Sequence, residues 1–167
     1  FIAYVGRIDK GKNCDQLFNY FMEYKKRNPS DLKLVLMGKA AMPIPAHPDI
    51  ISLGFMDDRS KFDGMQAARA LVMPSEYESL SLVVLEAMLA GTPVLVNGAC
   101  TVLKGHCVKS NGALYYTNYL EFEGELSYLF NNPDQATLMR KNAKEYAEHN
   151  YRWDIVVDNV CDLIESI

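Results

Sequence analysis

Short apolar segments alternate with longer amphipathic segments along the chain. Most of the short segments lack a polar face, which is typical of parallel strands that are covered by helices on both sides. The predicted strands are Phe1–Gly6, Leu32–Gly38, Ile50–Phe55, Ala70–Pro74, Pro93–Asn97 and Ala113–Tyr116.

The longer segments have the spacing of helices. Leu17, Phe21 and Tyr24 recur every three or four residues in a segment that stops before Pro29, as expected for one buried helix face. The alternation predicts the α/β class: a Rossmann-like three-layer domain with a mostly parallel sheet of about six strands, helices on both faces and a helical C-terminal third. The predicted helices cover residues 14–28, 60–70, 81–91, 119–132, 133–150 and 152–167.

Length and composition are those of one compact domain. The chain has 167 residues, of which 49% are hydrophobic and 23% charged, so residues 1–167 are expected to share one core. The chain begins on an apolar run without an initiator methionine, which indicates a domain taken from a longer protein. We therefore expect an N-terminal part that is missing here.

The charge and the apolar pattern restrict the partners. A formal net charge of −4 argues against a nucleic-acid surface, which needs an excess of Lys and Arg. Small molecules or proteins are the expected partners. The longest apolar stretch is interrupted by Glu86, Gly91 and Pro93 and falls short of the roughly 20 residues that span a bilayer. A cytoplasmic location is predicted, with any membrane contact made through the missing part.

No metal site is predicted. The four cysteines and three histidines show no paired Cys-x-x-Cys or His-x-x-x-His spacing. The residues that come nearest to a cluster are His106 and Cys107, with Cys100 close by. We interpret them as small buried thiols and a loop histidine.

Three loops at the carboxyl ends of predicted strands are the candidate site, because ligands of open α/β sheets collect there. The first, 5–13, carries the cations Arg7, Lys10 and Lys12 in an acidic protein. The second covers residues 36–40. The third, 73–81, contains Glu78 and leads through serines of N-cap type into an apolar helix, whose free N–H groups would suit a diphosphate.

Glu86 is the one polar side chain between Leu82 and Ala90. A buried lone carboxylate costs several kcal/mol unless it is hydrogen-bonded or neutralised. Two explanations remain open from the residues: a partner within the chain, such as a buried arginine or backbone N–H groups, or the hydroxyl groups of a ligand.

Two other nucleotide-binding motifs do not fit the first loop. It supplies Gly6 and Gly11 but no Gly-x-Gly-x-x-Gly, so the dinucleotide-binding fingerprint is absent. The Gly-Lys-Asn at 11–13 lacks the upstream glycine spacing and the Ser or Thr of a phosphate-binding P-loop.

Two stretches resemble a known family. "GRIDKGKN" and "PSEYESLSLVVLEAMLAGTPVLV" are similar to motifs of the C-terminal, donor-binding domain of retaining glycosyltransferases with the two-Rossmann-domain (GT-B) fold, of the family 4 or group 1 type. The second stretch matches the family's Glu-x7-Glu segment. The similarity extends over most of the chain, down to its last helices.

The resemblance implies roles for individual residues. Arg7 and Lys12 match the cations that grip the donor diphosphate, Glu78 matches the carboxylate that faces the transferred sugar, and Glu86 matches the acceptor of ribose hydroxyls. We accordingly expect Arg7, Lys12 and Glu78 to be catalytic. The donor-binding residues that the resemblance implies are Gly6, Gly38, Phe55, Met56, Leu80, Ser81, Leu82 and Glu86.

The same resemblance implies a reaction. A hexosyl group would pass from a UDP- or GDP-linked sugar to a saccharide, lipid or other acceptor with retention, without a metal or other cofactor. The acceptor would bind the missing N-terminal domain, so the fragment alone would be inactive. The alternatives are a sugar-nucleotide epimerase of the same architecture and a non-catalytic interaction module.

The sequence departs from the family pattern in two places. Ser79-Leu80-Ser81 replaces the commoner Gly-Phe-Gly and is expected to narrow or alter the sugar pocket. A loop is expected at 97–106, where Thr101 stands near the position at which many relatives carry Glu.

Overall fold

The computed structural model describes residues 1–166 and contains a six-stranded sheet. All strand pairs in it are parallel, and their order is β3-β2-β1-β4-β5-β6. The sheet is thus wholly parallel rather than mostly parallel. The strands are β1 (Ile2–Val5), β2 (Leu34–Met37), β3 (Ile50–Gly54), β4 (Ala70–Met73), β5 (Val94–Asn97) and β6 (Ala113–Tyr116).

Helices connect the strands and cover both faces of the sheet, which confirms the α/β, Rossmann-like prediction and the helical C-terminal third. A short 3₁₀ turn, Lys10–Lys12, precedes the first helix. The α-helices are α1 (Cys14–Arg27), α2 (Asp58–Ala67), α3 (Leu82–Leu89), α4 (Thr101–Ser110), α5 (Tyr119–Asn131), α6 (Pro133–Tyr151) and α7 (Trp153–Glu165).

The expectation of a loop at 97–106 is wrong, because Thr101–Ser110 forms α4. Its sequence carries few helix signals: Gly105 lies in its interior, and Cys100 at the N-cap position makes no capping hydrogen bond with its side chain. Asn111 ends the helix in the left-handed conformation, with φ of 47°. Its buried face, which includes Leu103 and His106, stabilises it through tertiary packing.

The core lies around four central strands. Every residue of β1, β2, β4 and β5 is buried, as the unbroken apolar runs predict. The edge strand β3 differs, because Ile51 and Leu53 are 39% and 51% exposed. Within residues 1–166, none of the helices is both long enough and apolar enough to cross a membrane.

Only part of α3 is buried, although its sequence is apolar on every face. Val84, Leu85, Ala87 and Met88 face the core, and the helix packs against α6. Leu82 is 67% exposed, because the first turn of α3 emerges at the carboxyl edge of the sheet.

Candidate functional site

The strand order places a crevice between β1 and β4. The chain runs from β1 outward through β2 to β3 and then returns to β4 on the other side, so the loops after β1 and β4 diverge at this point. Ligands of open α/β sheets bind where the strand order reverses in this way. The loops 5–13 and 73–81, singled out from the sequence, are the two loops concerned.

Three adjoining cavities follow this edge of the sheet. The central cavity has a volume of about 460 Å³. An apolar cavity of about 430 Å³ lies on its β2 side, and an outer cavity of about 650 Å³ lies on its β5 side. The central cavity is lined by Tyr4, Val5, Gly6, Lys12, Met73 and residues 78–83. The apolar cavity is lined by Val5, Gly6, Arg7, Met37, Gly38, Lys39, Phe55, Met56, Lys61 and Val83. The outer cavity is lined by Lys12, residues 76–79 and residues 99–101.

The first loop forms a tight turn, and its cations Arg7 and Lys12 line different cavities. Asp9 Oδ1 accepts a hydrogen bond from the backbone N–H of Lys12 at 2.8 Å, and its other oxygen pairs with the guanidinium of Arg7. Desolvation acts against ionisation of Asp9, but these two partners hold its pKa below the ordinary value. Arg7 is 67% exposed and lines the apolar cavity, whereas Lys12 lines the central and outer cavities.

A cation and a carboxylate from different loops meet in the crevice. Nζ of Lys12 donates a hydrogen bond to Oε1 of Glu78 over 2.8 Å. The side chain of Lys12 is 33% exposed and that of Glu78 is 12% exposed. The pair separates the central cavity from the outer cavity, since both residues line both of them.

The N-terminus of α3 opens into the central cavity. Ser81 occupies the N-cap position, as its residue type suggests, but its hydroxyl makes no capping hydrogen bond. Its backbone is left-handed instead, with φ of 63° and ψ of 75°. The N–H groups of Leu82 and Val83 have no acceptor within residues 1–166, so they are free to bind an anion.

Glu86 has a partner within the chain. Lys61 of α2 donates a hydrogen bond to Oε1 at 3.2 Å, and the same ammonium lies 3.1 Å from Oε2. The side chain of Glu86 is 36% exposed, and its partner within the chain is a lysine and not the buried arginine or backbone N–H groups that the sequence suggested. Desolvation opposes the charge of Lys61, yet Glu86 and Asp58 together raise its pKa.

One oxygen of Glu86 is paired by charge alone. Oε2 is shielded from water and lies 3.1 Å from the Lys61 ammonium, an ion pair that lacks the geometry of a hydrogen bond. A hydroxyl group could reach this atom only after the Glu86 or Lys61 side chain moved, and it would then gain a charge-assisted hydrogen bond.

The apolar cavity depends on close approach of two backbones. Gly6 N–H donates to the carbonyl of Met37 at 3.0 Å, and Gly38 N–H donates to that of Gly54 at 2.7 Å. Gly38 has φ of 152°, and a Cβ atom there would overlap the carbonyl oxygen of Gly6. Beside these glycines, Phe55 is 87% exposed and offers a ring face at the rim of the cavity.

Nearly all of the site residues predicted from the sequence line these cavities. Glu86 does not, but its partner Lys61 does. Lys61 was not predicted from the sequence. It lies in the predicted helix 60–70, and nothing in the local sequence indicates that this helix contacts Glu86. Thr101 lies at the start of α4 and lines the outer cavity.

The titratable groups of residues 1–166 are too dispersed to form a metal site. The described residues contain no group of three or more His, Cys, Asp or Glu side chains that could hold a metal ion. Cys14, Cys100 and Cys107 are buried as free thiols, and burial raises the pKa of Cys107 to about 12. A metal-free mechanism stays a prediction.

The fold is that of a Rossmann-like domain, and its crevice lies at the carboxyl edge of the sheet, where open α/β sheets bind their ligands. The profile of the family described as Glycosyl transferases group 1 matches residues 1–146. The chain belongs to this family, which confirms the resemblance read from the two motifs.

Curated relatives support the same family. An uncharacterized glycosyltransferase of Methanocaldococcus jannaschii is 26% identical over 163 residues, which cover 92% of this chain and 41% of the relative. A D-inositol 3-phosphate glycosyltransferase of Rhodococcus erythropolis is 27% identical over 180 residues, covering 96% of this chain and 40% of that protein. The chain therefore spans about two fifths of the length of these relatives.

The fold also resembles that of a protein solved with a bound nucleotide. HepE of Anabaena, in complex with UDP, superposes with a TM-score of 0.80 at 17% identity, over 99% of this chain and 48% of that one. At this identity the likeness concerns the fold. Neither the epimerase nor the interaction-module alternative gains support from these similarities.

Proposed function

We propose that the chain binds the sugar donor in a retaining glycosyltransferase, which transfers a hexosyl group from a UDP- or GDP-linked sugar to a saccharide, lipid or other acceptor. The observation that carries the proposal is that the paired Lys12 and Glu78 line the same cavity as Leu82 and Val83, whose N–H groups are free. A diphosphate needs cations and N–H donors, and a sugar needs carboxylates for its hydroxyl groups.

The three cavities suit the three parts of such a donor. The central cavity, with Lys12 and the start of α3, would hold the diphosphate. The apolar cavity, with Gly38, Phe55 and Met56, would hold the nucleoside next to Lys61 and Glu86. The outer cavity is then left for the transferred sugar, as its contact with Glu78 and several hydroxyl-bearing side chains suggests.

The chemistry asked of these residues is electrostatic. When the bond between sugar and diphosphate breaks, negative charge collects on the leaving phosphate. Lys12 and the N–H groups of α3 would stabilise that charge, and Arg7 would contribute a second cation after leaving its pairing with Asp9. Metal-independent catalysis and retention of configuration are parts of this proposal, as is a sugar contact by Glu78.

The rest of the enzyme belongs to the proposal too. Residues 1–167 would form one nucleotide-sugar-binding domain, the C-terminal half of a two-domain enzyme, and the acceptor would enter from the other domain. The similarity to HepE, which was solved with UDP, favours UDP as the first nucleotide to test. A cytoplasmic location and peripheral membrane contact of the longer protein stay predictions.

Nucleotide binding to the chain tests the proposal directly. The chain is titrated with UDP, GDP and their glucose conjugates, and binding is followed by ¹H–¹⁵N NMR. The amide resonances of Leu82 and Val83 are expected to shift more than those of other residues, because their N–H groups would gain a phosphate acceptor. Uridine, which lacks the diphosphate, is the control and should leave both resonances nearly unmoved. The proposal is wrong if no compound binds at millimolar concentration and the longer enzyme is also inert.

Phe55→Ala tests the position of the base. Phe55 is 87% exposed, so the free energy of unfolding should change by less than about 0.5 kcal/mol. The loss of an aromatic contact should weaken UDP binding by roughly three- to tenfold, measured by calorimetry. Trp153→Ala removes a ring that is 79% exposed on α7 and lines none of the three cavities, so it serves as the control. Equal affinities of the two variants would place the base elsewhere.

A further inference from the structure

The turn that precedes α3 is not stabilised by a hydrogen bond from the N-cap side chain. Ser81 is left-handed at φ of 63°, a conformation that costs a non-glycine residue about 1 kcal/mol or more. The Ser81 hydroxyl does not cap the helix. The carbonyl of Ser81 accepts bonds from Val84 and Leu85 at 3.0 and 3.3 Å, which fixes the helix but not the residues before it. The side chain of Leu80 packs against the hydrophobic core, which leaves the carbonyl group of Leu80 to be held from outside the turn.

His106 of α4 provides that support. Its Nε2 lies 2.9 Å from the carbonyl oxygen of Leu80, and the residue is only 4% exposed. A carbonyl oxygen can only accept, so Nε2 carries the hydrogen and donates it. The expected loop histidine is therefore a buried side chain on a helix, in direct contact with the turn that shapes the candidate donor site.

A second contact fixes the orientation of the imidazole ring. Nδ1 of His106 lies 3.0 Å from the hydroxyl of Tyr146, which lies 3.2 Å from the hydroxyl of Tyr151. In the neutral ring Nδ1 is the acceptor, so Tyr146 donates to it and can accept from Tyr151. Burial and the bond to Tyr151 raise the pKa of Tyr146, which keeps its hydroxyl protonated.

We propose that His106 is a positioning residue of the donor site. It would hold the Leu80 carbonyl so that the left-handed Ser81 aims the N–H groups of Leu82 and Val83 into the central cavity. The hydrogen-bonded series from Tyr151 through Tyr146 to His106 would tie the end of α6 to this turn. The idea rests on the proposed donor site, because the N–H groups matter only where an anion binds.

Two amide substitutions separate this role from a purely structural one. Gln carries its N–H₂ group the same number of bonds from Cα as His Nε2, so His106→Gln can still donate to Leu80. Asn carries it at the distance of Nδ1, so His106→Asn can reach Tyr146 but not Leu80. Both variants bury one amide at the same position of α4, and their cost in stability should be similar.

UDP affinity and melting temperature of the chain are the measurements. His106→Asn is expected to bind UDP about five- to twentyfold more weakly than the unaltered chain, the cost of losing one well-placed hydrogen bond that orders the N–H donors. His106→Gln should stay within about twofold of it. Equal affinities of the two variants, or losses that follow the melting temperatures, would overturn the positioning role.

A measurement without ligand keeps this test apart from that of the donor site. In the unliganded chain, NMR of the imidazole nitrogens should show hydrogen on Nε2, and the amide resonances of Leu82 and Val83 should move in His106→Asn but not in His106→Gln. The Nδ1–H tautomer or unmoved resonances would overturn the inference even if UDP binds. If the Nε2–H tautomer and the resonance shifts in His106→Asn are observed but UDP does not bind, the result counts against the proposed function and not against the positioning role.

Discussion

Replacing Lys12 with alanine is expected to lower kcat/KM for glycosyl transfer by about a hundred- to a thousandfold, the usual loss when one preorganised contact to developing charge is removed. Nζ of Lys12 lies 2.8 Å from Glu78 at the boundary of the central and outer cavities, where the leaving phosphate would separate from the sugar. The measurement is release of UDP from UDP-glucose by an enzyme that contains this chain and its acceptor-binding part, at saturating acceptor.

Two further variants interpret the result. Lys12→Gln can keep a hydrogen bond to Glu78 but lacks the charge, so it should lose nearly as much activity as Lys12→Ala while melting at a higher temperature. Lys10→Ala removes an exposed cation from the same turn that lines none of the three cavities, and it should stay within about twofold of the original rate. Recovery of activity in Lys12→Gln would show that the lysine acts by holding Glu78 and not through its charge.

Glu86→Ala is expected to weaken UDP binding by about 1.5 to 3 kcal/mol, the value of a charge-assisted hydrogen bond, or roughly ten- to a hundredfold in affinity. The reason is Oε2, which makes an ion pair but no hydrogen bond with Lys61 and would accept one from a ribose hydroxyl once the Glu86 side chain moves. The free energy of unfolding should fall by less than about 1 kcal/mol, because the Lys61 pair is partly exposed and Lys61 keeps Asp58 at 3.2 Å. Calorimetry with UDP and chemical unfolding give the two numbers.

Glu123→Ala is the matched control for Glu86. Glu123 also carries an ion pair, to Arg27 at 3.3 Å, and accepts a hydrogen bond from Asn28, but it lines none of the three cavities. The control should lose stability without losing affinity for UDP. If Glu86→Ala behaves in the same way, its carboxylate serves to join α2 to α3 through Lys61, and the ribose contact is wrong.

Much of the fold can be read from local sequence. Every strand lies within its predicted run. Four of the strands are fully buried in a parallel sheet, which requires unbroken apolar runs, and such runs are visible in the sequence. The loops that form the crevice could be predicted for the same reason: in a parallel sheet the loops after successive strands share one edge. Helix α4 could not be predicted, because Gly105 lies in its interior and its N-terminus lacks a side-chain cap. Tertiary packing stabilises this helix in spite of its weak local sequence preference.

The residues of the candidate site divide in the same way. Local sequence was enough to identify the side chains in the loops after β1 and β4, because motifs and strand ends are local features. Which of these side chains contact one another depends on the three-dimensional packing. Lys61 and Glu86 are 25 positions apart, and Leu80 and His106 are 26 apart. Such contacts depend on how helices pack against one another across the sheet, and hydrophobic periodicity gives the buried face of each helix but not the partner that a polar group finds there.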